Sequence, residues 1–202
     1  MSKLIYTLMG IMIFFGGCSI KSSPPPDEYT IVLHKLPQQN RQETRCHDKS
    51  LKILEPFGSN DYATSDLHYI VLPNQENSYN FSSWSQPLSS TLYREMLRVF
   101  EKSGIFGSVA NYASVAKSDY ILEMEINDFK QYFTHDLKHS YVVADITFTL
   151  IEAKRFAIVA QKKFVQKIET KSLDARGGVD ALGEAFEKIA SDATRWLAGV
   201  CR

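Results

Sequence analysis

Residues 120–133 read YILEMEINDFKQYF, and this stretch decides the fold that the sequence predicts. Apolar and acidic side chains alternate along its first half, and a period of two is typical of a β-strand with one buried face. After Asp128 the apolar positions shift phase to Phe129 and Phe133, which predicts a β-bulge. The apolar residues predicted to share the buried face are Tyr120, Leu122, Met124 and Ile126.

Two further strands follow at short intervals. Residues 134–140 predict a turn, residues 141–151 a second strand and residues 157–170 a third. Strands joined by such short connections must run antiparallel, so the sequence predicts a three-stranded meander. On the third strand Lys162, Lys163 and Lys167 are expected in solvent. The residues predicted to face inward are Val142, Ala144, Ile146, Phe148, Leu150, Ile158, Ala160, Phe164 and Ile168.

Two segments have apolar residues at helical spacing. In residues 87–103 the pattern predicts a helix capped by Ser85, with Pro87 in its first turn and Gly104 at its end. Residues 179–200 carry the strongest helical pattern in the chain, after a predicted loop at 174–178. That loop contains Gly177 and Gly178, which we expect to provide a tight turn and close packing of helix on sheet.

Four shorter segments precede the meander and also predict strands, namely residues 29–36, 51–57, 67–72 and 79–84, with a polar turn region at 73–80. A sheet with one apolar face and two amphipathic helices can bury both only by stacking them. The predicted fold class is therefore α+β, an antiparallel sheet packed against two amphipathic helices in a two-layer sandwich.

The first eighteen residues have the pattern of a secretion signal. Lys3 gives a positive start, residues 4–15 are almost continuously apolar, and Gly16 and Gly17 precede Cys18. The apolar run is shorter than the roughly 20 residues that a membrane-spanning helix needs. The pattern resembles the bacterial lipobox, which implies a signal peptide at 1–17 and a lipid on Cys18. The alternative is an ordinary secretory signal with an accidental cysteine.

Residues 18–28 are predicted to be a lipidated cysteine and linker, because serine, lysine and three consecutive prolines cannot bury apolar surface. Residues 29–202 are then the folded domain. Ser19 follows the cysteine, and in lipoprotein sorting a residue other than aspartate implies the periplasmic face of the outer membrane.

The charge balance does not indicate a nucleic-acid-binding protein. The 202 residues contain 23 Lys plus Arg and 23 Asp plus Glu, so the formal net charge is zero and no basic patch for nucleic acid is predicted.

Of the three cysteines, Cys46 and Cys201 remain after Cys18, and in an oxidising compartment a disulfide between them is the default expectation. Two buried free thiols are the alternative.

No metal, cofactor or catalytic site is predicted. His135 and His139 are four residues apart but flank a predicted turn, and no group of four ligands with zinc-site spacing occurs. The sequence has no Gly-x-Ser-x-Gly, His-Glu-x-x-His or phosphate-binding glycine motif, so we expect a protein that is not an enzyme.

The candidates for partner binding are aromatic. Trp84 precedes the first helix and is either a packing residue between helix and sheet or a surface anchor for a partner. Tyr132, Phe133 and Tyr141 surround the turn at 134–140 and either form an exposed tip or pack in the core.

Several pieces of the chain, in order, resemble the ABC-type transport auxiliary lipoproteins, which accompany MCE-type lipid transport systems. The chain differs from that family's pattern at residues 58–66, which lack its proline-containing stretch. The matching pieces are Cys18-Ser19 and the prolines, then residues 29–33, 51–56, 69–72, 84–88, 118–122, Phe129, residues 177–179, 181–182 and 189–197.

The resemblance implies a non-catalytic accessory protein that docks on or anchors a transporter. Its partners would be the membrane, an MCE-domain protein and an ABC permease and ATPase, with phospholipid as a candidate ligand. The alternatives are a lipoprotein that assists assembly of outer-membrane components, an anchored hydrolase, and a carrier that holds lipid between helix and sheet.

Overall fold

The computed structural model describes residues 25–34 and 44–201. The predicted signal peptide and Cys18 lie outside the described residues, as does the linker up to residue 24. No helix in the described ranges has the length and apolarity that crossing a bilayer requires. The strands are β1 (Asp27–Tyr29), β2 (Ser50–Ile53), β3 (Phe57–Gly58), β4 (Asp66–Val71), β5 (Gln75–Trp84), β6 (Ser108–Ala110), β7 (Tyr120–Phe133), β8 (Ser140–Glu152) and β9 (Ala157–Glu169); the helices are α1 (Leu88–Ser103) and α2 (Ala175–Val200), with a 3-10 turn at Asn60–Ala63.

The predicted meander is present as β7, β8 and β9, and both of its pairings are antiparallel. The bulge is where the sequence predicts it, because the register of β7 against β8 shifts between Ile126 and Asp128. Asn127 at the bulge donates through Nδ2 to Asp145 Oδ1 and Thr147 Oγ1, each at 2.9 Å. The alternation read from residues 120–133 therefore has the right phase on both sides of the bulge.

The sheet as a whole is mixed, so the prediction of a purely antiparallel sheet is wrong. Strands β2, β3 and β4 lie one after another along the free edge of β7, and all three run parallel to it. After β4 the chain returns in β5, crosses through α1 and enters β7 in the direction of β4. This crossover is what parallel pairing requires.

Both helices cover the same face of the sheet. Aromatic rings mark this contact: Phe100 of α1 meets Phe148, while Phe186 and Trp196 of α2 meet Phe129 and Phe164, with centroid distances of 6.4, 6.1 and 6.1 Å. The three partners on the sheet are all predicted inward positions. The two-layer α+β arrangement predicted from the helical stripes is therefore correct, with β7 and β8 at the centre of the core.

Some local predictions were wrong. Ile158 is 65% exposed, because β9 carries an extra residue between Ala160, which pairs with Leu150, and Ile158, which pairs with Ile151. Ser85 makes no cap bond, and Pro87 occupies that position. Strand β5 begins within the predicted polar turn, β6 lies between the predicted helix and the predicted meander, where no strand was predicted, and strand pairing in the predicted strand 29–36 stops at Tyr29.

Helix α2 begins four residues before the predicted start. Asp174 caps it by accepting from the backbone N–H of Gly177 at 2.8 Å, so the predicted loop 174–178 forms the first helical turn. A Cβ at Gly178 would lie 2.0 Å from the Gln131 Oε1 atom of β7. Gly178 thus provides the predicted close packing of helix on sheet, whereas a Cβ at Gly177 would meet Ser172 in the preceding loop.

The structure contains the predicted disulfide between Cys46 and Cys201, which have a sequence separation of 155. Both cysteines are buried. Beside the bridge, the Arg45 backbone N–H donates to the Cys201 carbonyl at 2.6 Å. The end of α2 is therefore fixed to the segment that leads into β2.

Reducing this disulfide is expected to lower the free energy of unfolding by up to about 5 kcal/mol, because the cross-link restricts a long loop in the unfolded chain. Urea unfolding followed by circular dichroism, with and without reductant, measures the difference. The double variant Cys46→Ser/Cys201→Ser is the control, and its unfolding midpoint is expected not to respond to reductant. Equal midpoints for the oxidised and reduced protein would contradict the expectation.

Candidate functional site

Two of the predicted aromatic candidates lie on the face of the sheet that carries no helix. The rings of Tyr132 and Tyr141 stack at 5.4 Å with planes 6° apart, and the Lys167 Nζ atom lies 3.6 Å from the centroid of the Tyr141 ring. This stack joins neighbouring strands in the way that cross-strand aromatic pairs stabilise a sheet. Both rings are half-buried rather than exposed at a tip.

The hydroxyl of Tyr132 donates to the carboxylate of Asp128. Burial raises the pKa of the Asp128 carboxyl, although this hydrogen bond opposes the shift. Burial and the neighbouring Asp128 also raise the pKa of Tyr132. The other oxygen of Asp128, Oδ1, is buried without a hydrogen-bond partner among the described residues. The pair is a local polar contact, and neither residue lines any of the cavities described below.

The other two candidates are inside the protein. Trp84 is 3% exposed, in agreement with its interpretation as a packing residue between helix and sheet. Phe133 is 6% exposed and its ring meets that of Tyr69 edge-on at 5.5 Å. The structure therefore brings Tyr132 and Tyr141 together but does not gather the four aromatic candidates into one site.

The segment after β1 is fastened to α1 by a buried acid, which sequence reasoning missed. The Leu33 backbone N–H donates to Glu95 Oε2 at 3.0 Å, and Arg98 donates to the Leu33 carbonyl at 2.7 Å while pairing with Glu95. Glu95 is 5% exposed. A signal existed in the sequence, because Glu95 is three residues after Leu92 and four before Val99, on the apolar stripe of the helix.

The variant Glu95→Ala is expected to lose about 1–3 kcal/mol of unfolding free energy, since it leaves a buried amide without its acceptor. Urea unfolding of the purified domain measures the loss. Glu101→Ala on the exposed side of the same helix is the matched control and is expected to change stability by less than about 0.5 kcal/mol. If Glu95→Ala is as stable as this control, the hydrogen bond between Glu95 and Leu33 does not contribute to the unfolding free energy.

One end of the meander, where β7 begins and β8 ends, carries a cavity of about 730 Å³. We call it the lysine pocket, after Lys49, Lys52, Lys117 and Lys154 on its wall. Lys52 donates to the Ser114 carbonyl at 2.8 Å. Within the described part of the chain, the other three form no salt bridge.

Two acids on the wall of the lysine pocket already have partners. Asp119 accepts from the backbone N–H and the hydroxyl of Ser50, both at 2.8 Å, and these bonds hold its pKa below the usual value. Glu152 pairs with Arg155. Two apolar side chains project beside the lysines, Val115, which is fully exposed, and Phe156, which is 80% exposed. The pocket therefore offers cations and apolar surface together.

At the opposite end, where β7 ends and β8 begins, a smaller cavity of about 260 Å³ has apolar walls. We call it the aromatic notch. The Tyr69 and Tyr79 rings lie 4.6 Å apart in it, and the Tyr79 hydroxyl donates to Gln131 Oε1 at 3.0 Å. Its lining residues are Tyr69, Val71, Tyr79, Phe133, Leu137 and Leu173.

Each hairpin turn of the meander presents an apolar side chain in an unfavourable backbone conformation. The non-glycine residues with positive φ in the described ranges are Leu137, at 56°, and Phe156, at 53°. Both side chains are exposed, at 54% and 80%. Left-handed backbone disfavours a side chain by roughly 1–2 kcal/mol, so the stability of the turns does not explain these residues. Strained backbone of this kind is a reason to test the two turns for a function.

No group of three or more His, Cys, Asp or Glu residues suited to a metal occurs in the described ranges. His135 and His139 both lie exposed on the turn between β7 and β8. Cys46 is in the disulfide and cannot act as a thiolate ligand.

No model of a protein family matches the chain, and no curated protein matches it. Solved structures do. Protein XCC0632 from Xanthomonas campestris, of family DUF330, has a TM-score of 0.72 and 18% identity over 85% of this chain and 95% of its own. Protein CT253 from Chlamydia trachomatis has a TM-score of 0.51 and 10% identity over 75% and 99%.

A third crystal structure, of an uncharacterized protein, has a TM-score of 0.63 and 16% identity over 86% of this chain and 99% of its own. At these identities the similarity establishes a shared fold and nothing about activity. The resemblance to ABC-type transport auxiliary lipoproteins therefore stays a prediction.

Proposed function

We propose that this protein is a non-catalytic lipoprotein of the cell envelope, anchored through a lipid on Cys18 at the periplasmic face of the outer membrane. In this proposal it is an accessory of an ABC-driven, MCE-type lipid transport system. The observation that supports it best is geometric: the chain joins the domain from one end of the meander, and the lysine pocket lies at the other.

The direction of the incoming chain follows from the strand pairing. Strand β1 is parallel to β5, β5 is antiparallel to β4, and β4 is parallel to β7. Strand β1 therefore runs opposite to β7, and the residues before it come from the side on which β7 ends. The clamp formed by Glu95 and Arg98 holds the segment just after β1.

The length of the linker limits the orientation. Eight residues separate Cys18 from Asp27, so the nine Cα–Cα steps between them reach at most about 32 Å. Asp27 pairs with Ser82 near the level of Phe129 on β7, about four residues from the notch end of that strand and about nine residues, roughly 30 Å, from its pocket end. The linker therefore reaches the membrane with little extension when the aromatic notch faces it, whereas the opposite orientation requires the linker to reverse its direction and extend fully.

The occupant that we propose for the lysine pocket is an acidic segment of the transporter. Lys49, Lys117 and Lys154 supply charge that steers an acidic partner, while Phe156 and Val115 supply apolar contact area. Phe156 belongs to the aromatic residues that are enriched at protein interfaces. The ordered resemblance to the auxiliary lipoproteins supports the choice of partner, and the missing catalytic motifs support an accessory role.

The variant Cys18→Ala is expected to fold but to leave the membrane fraction, because it cannot receive the lipid. Fractionation of cells that express the full chain, with incorporation of labelled palmitate, measures both anchoring and lipidation. Ser19→Ala is the control and is expected to remain labelled and membrane-bound. Full membrane retention of Cys18→Ala would contradict the anchor.

The triple variant Lys49→Glu/Lys117→Glu/Lys154→Glu is expected to weaken capture of the transporter about tenfold or more, through reversal of the charge that meets an acidic surface. Pull-down of the tagged, full chain from detergent-solubilised envelopes, with mass spectrometry of MCE-domain protein, permease and ATPase, measures the capture. Lys102→Glu/Lys162→Glu/Lys188→Glu has the same charge change outside both the lysine pocket and the aromatic notch and serves as control. Capture of an outer-membrane β-barrel in place of the transporter would favour the assembly-factor alternative.

A further inference from the structure

We propose that the end of the domain bearing the aromatic notch rests on the bilayer, with Leu137 and Leu173 in its headgroup layer. The inference rests on the proposed lipid anchor and adds to it a contact surface and an orientation. The bilayer is the proposed occupant because the linker leaves β1 toward this end, and bringing the opposite end to the membrane would require the linker to reverse its direction and extend over its whole length.

The notch exists because the helical layer ends before the sheet does. Gly178, in the first turn of α2, lies against Gln131, and Phe133 is two residues further along β7. The rings of Tyr69 and Tyr79 lie on the same face beside it. In the middle of the sheet, a helix covers the side chains on this face. At this end no helix covers Phe133, Tyr69 and Tyr79, and they form an apolar cavity that opens outward.

Leu137 is held in an exposed position by the hydrogen bonds of its turn. Its backbone N–H donates to the Thr134 carbonyl at 2.9 Å. Asp136 Oδ1 accepts from the Thr134 hydroxyl at 2.6 Å and from the Lys138 N–H at 3.2 Å. The turn thus presents leucine in a left-handed conformation that glycine or asparagine would adopt more readily.

Leu173 lies across the notch from this turn, in the loop before α2, and is 50% exposed. The Asp174 cap beside it fixes the loop, since Asp174 accepts from the Ser172 hydroxyl at 2.6 Å and from Gly177. Two leucines on fixed loops, with tyrosine rings behind them, are suited to the boundary between headgroups and acyl chains, where tyrosine is enriched.

Charges at this end permit contact with phospholipid headgroups. Lys138, Lys171 and Arg176 are exposed beside the two leucines, and such cations are attracted to anionic lipid. Three acidic residues at the same end, Asp136, Glu169 and Asp174, equal these three cations in number. Because Asp136 and Asp174 are engaged in the hydrogen bonds of their own loops, their pKa values are held low. His135 and His139 also face this side. The apolar pair, rather than net charge, therefore distinguishes this surface.

Depth-dependent quenching tests the orientation. The full, lipidated chain is placed in phosphatidylethanolamine and phosphatidylglycerol vesicles whose acyl chains carry bromine, a quencher of tryptophan fluorescence. In separate variants, Leu137→Trp and Phe156→Trp add a tryptophan at equivalent positive-φ positions on opposite ends of the meander. The fluorescence added by Leu137→Trp is expected to fall at least twofold, while that added by Phe156→Trp stays within a tenth of its value without bromine. Trp84 and Trp196 are common to both variants.

Flotation of the unsubstituted chain with the same vesicles separates this inference from the anchor. If the chain floats but Leu137→Trp is quenched no more than Phe156→Trp, the orientation is wrong and the anchor stands. If the chain does not float, the anchor is wrong and the orientation is wrong with it.

Leu173→Trp is a second reporter that does not disturb the turn. Hydrogen exchange at residues 134–139, with and without vesicles, measures the same contact in the unsubstituted protein. Protection there that vesicles do not increase would also overturn the orientation.

Discussion

The structure depends on the occupation of both hydrogen-bonding edges of β7. Along one edge β8 pairs with it throughout its length, and along the other β2, β3 and β4 follow one another. A buried strand needs partners on both sides, because a backbone N–H or C=O group that is removed from water and left unpaired destabilises the folded state. The short strands β2, β3 and β4 supply hydrogen-bond partners on one side of β7, and the long strand β8 supplies them on the other. The linker, the helices and the disulfide are placed relative to β7.

This arrangement gives the protein two different ends. The hairpin turns of the meander lie at opposite ends of β8, and each exposes an apolar residue in a left-handed conformation, Leu137 in one and Phe156 in the other. Aromatic surface surrounds the first and lysines surround the second. Strand β1 begins on the side of the first end, and the segment that follows it is clamped to α1 through Glu95. In the proposed accessory role, a domain anchored through its linker would keep a membrane contact and a protein contact apart by the length of one strand.

Much of the fold was accessible from local pattern. The meander, the bulge after Ile126, the two helices and the Cys46–Cys201 bridge are all predicted by the sequence and present in the structure. Alternation fails at Ile158, where an extra residue in β9 reverses the phase near the strand's start. The site was less predictable: Trp84 and Phe133 are buried, and Glu95 and the lysine pocket were not foreseen. Residues that form the pocket come from three separate segments, so no local spacing marks them.

The sequence by itself determined the secretion signal pattern, the elements with long regular periods and the two-layer class, because each follows from neighbouring residues on one chain. Only the tertiary structure decided that β2, β3 and β4 run parallel to β7, and which apolar side chains remain exposed at the two ends. Strands of two to six residues are too short for a periodic signal. Their pairing with a strand about 60 to 70 residues later depends on how the whole core packs. That packing also decides where the helices stop and which ends of the sheet are left uncovered.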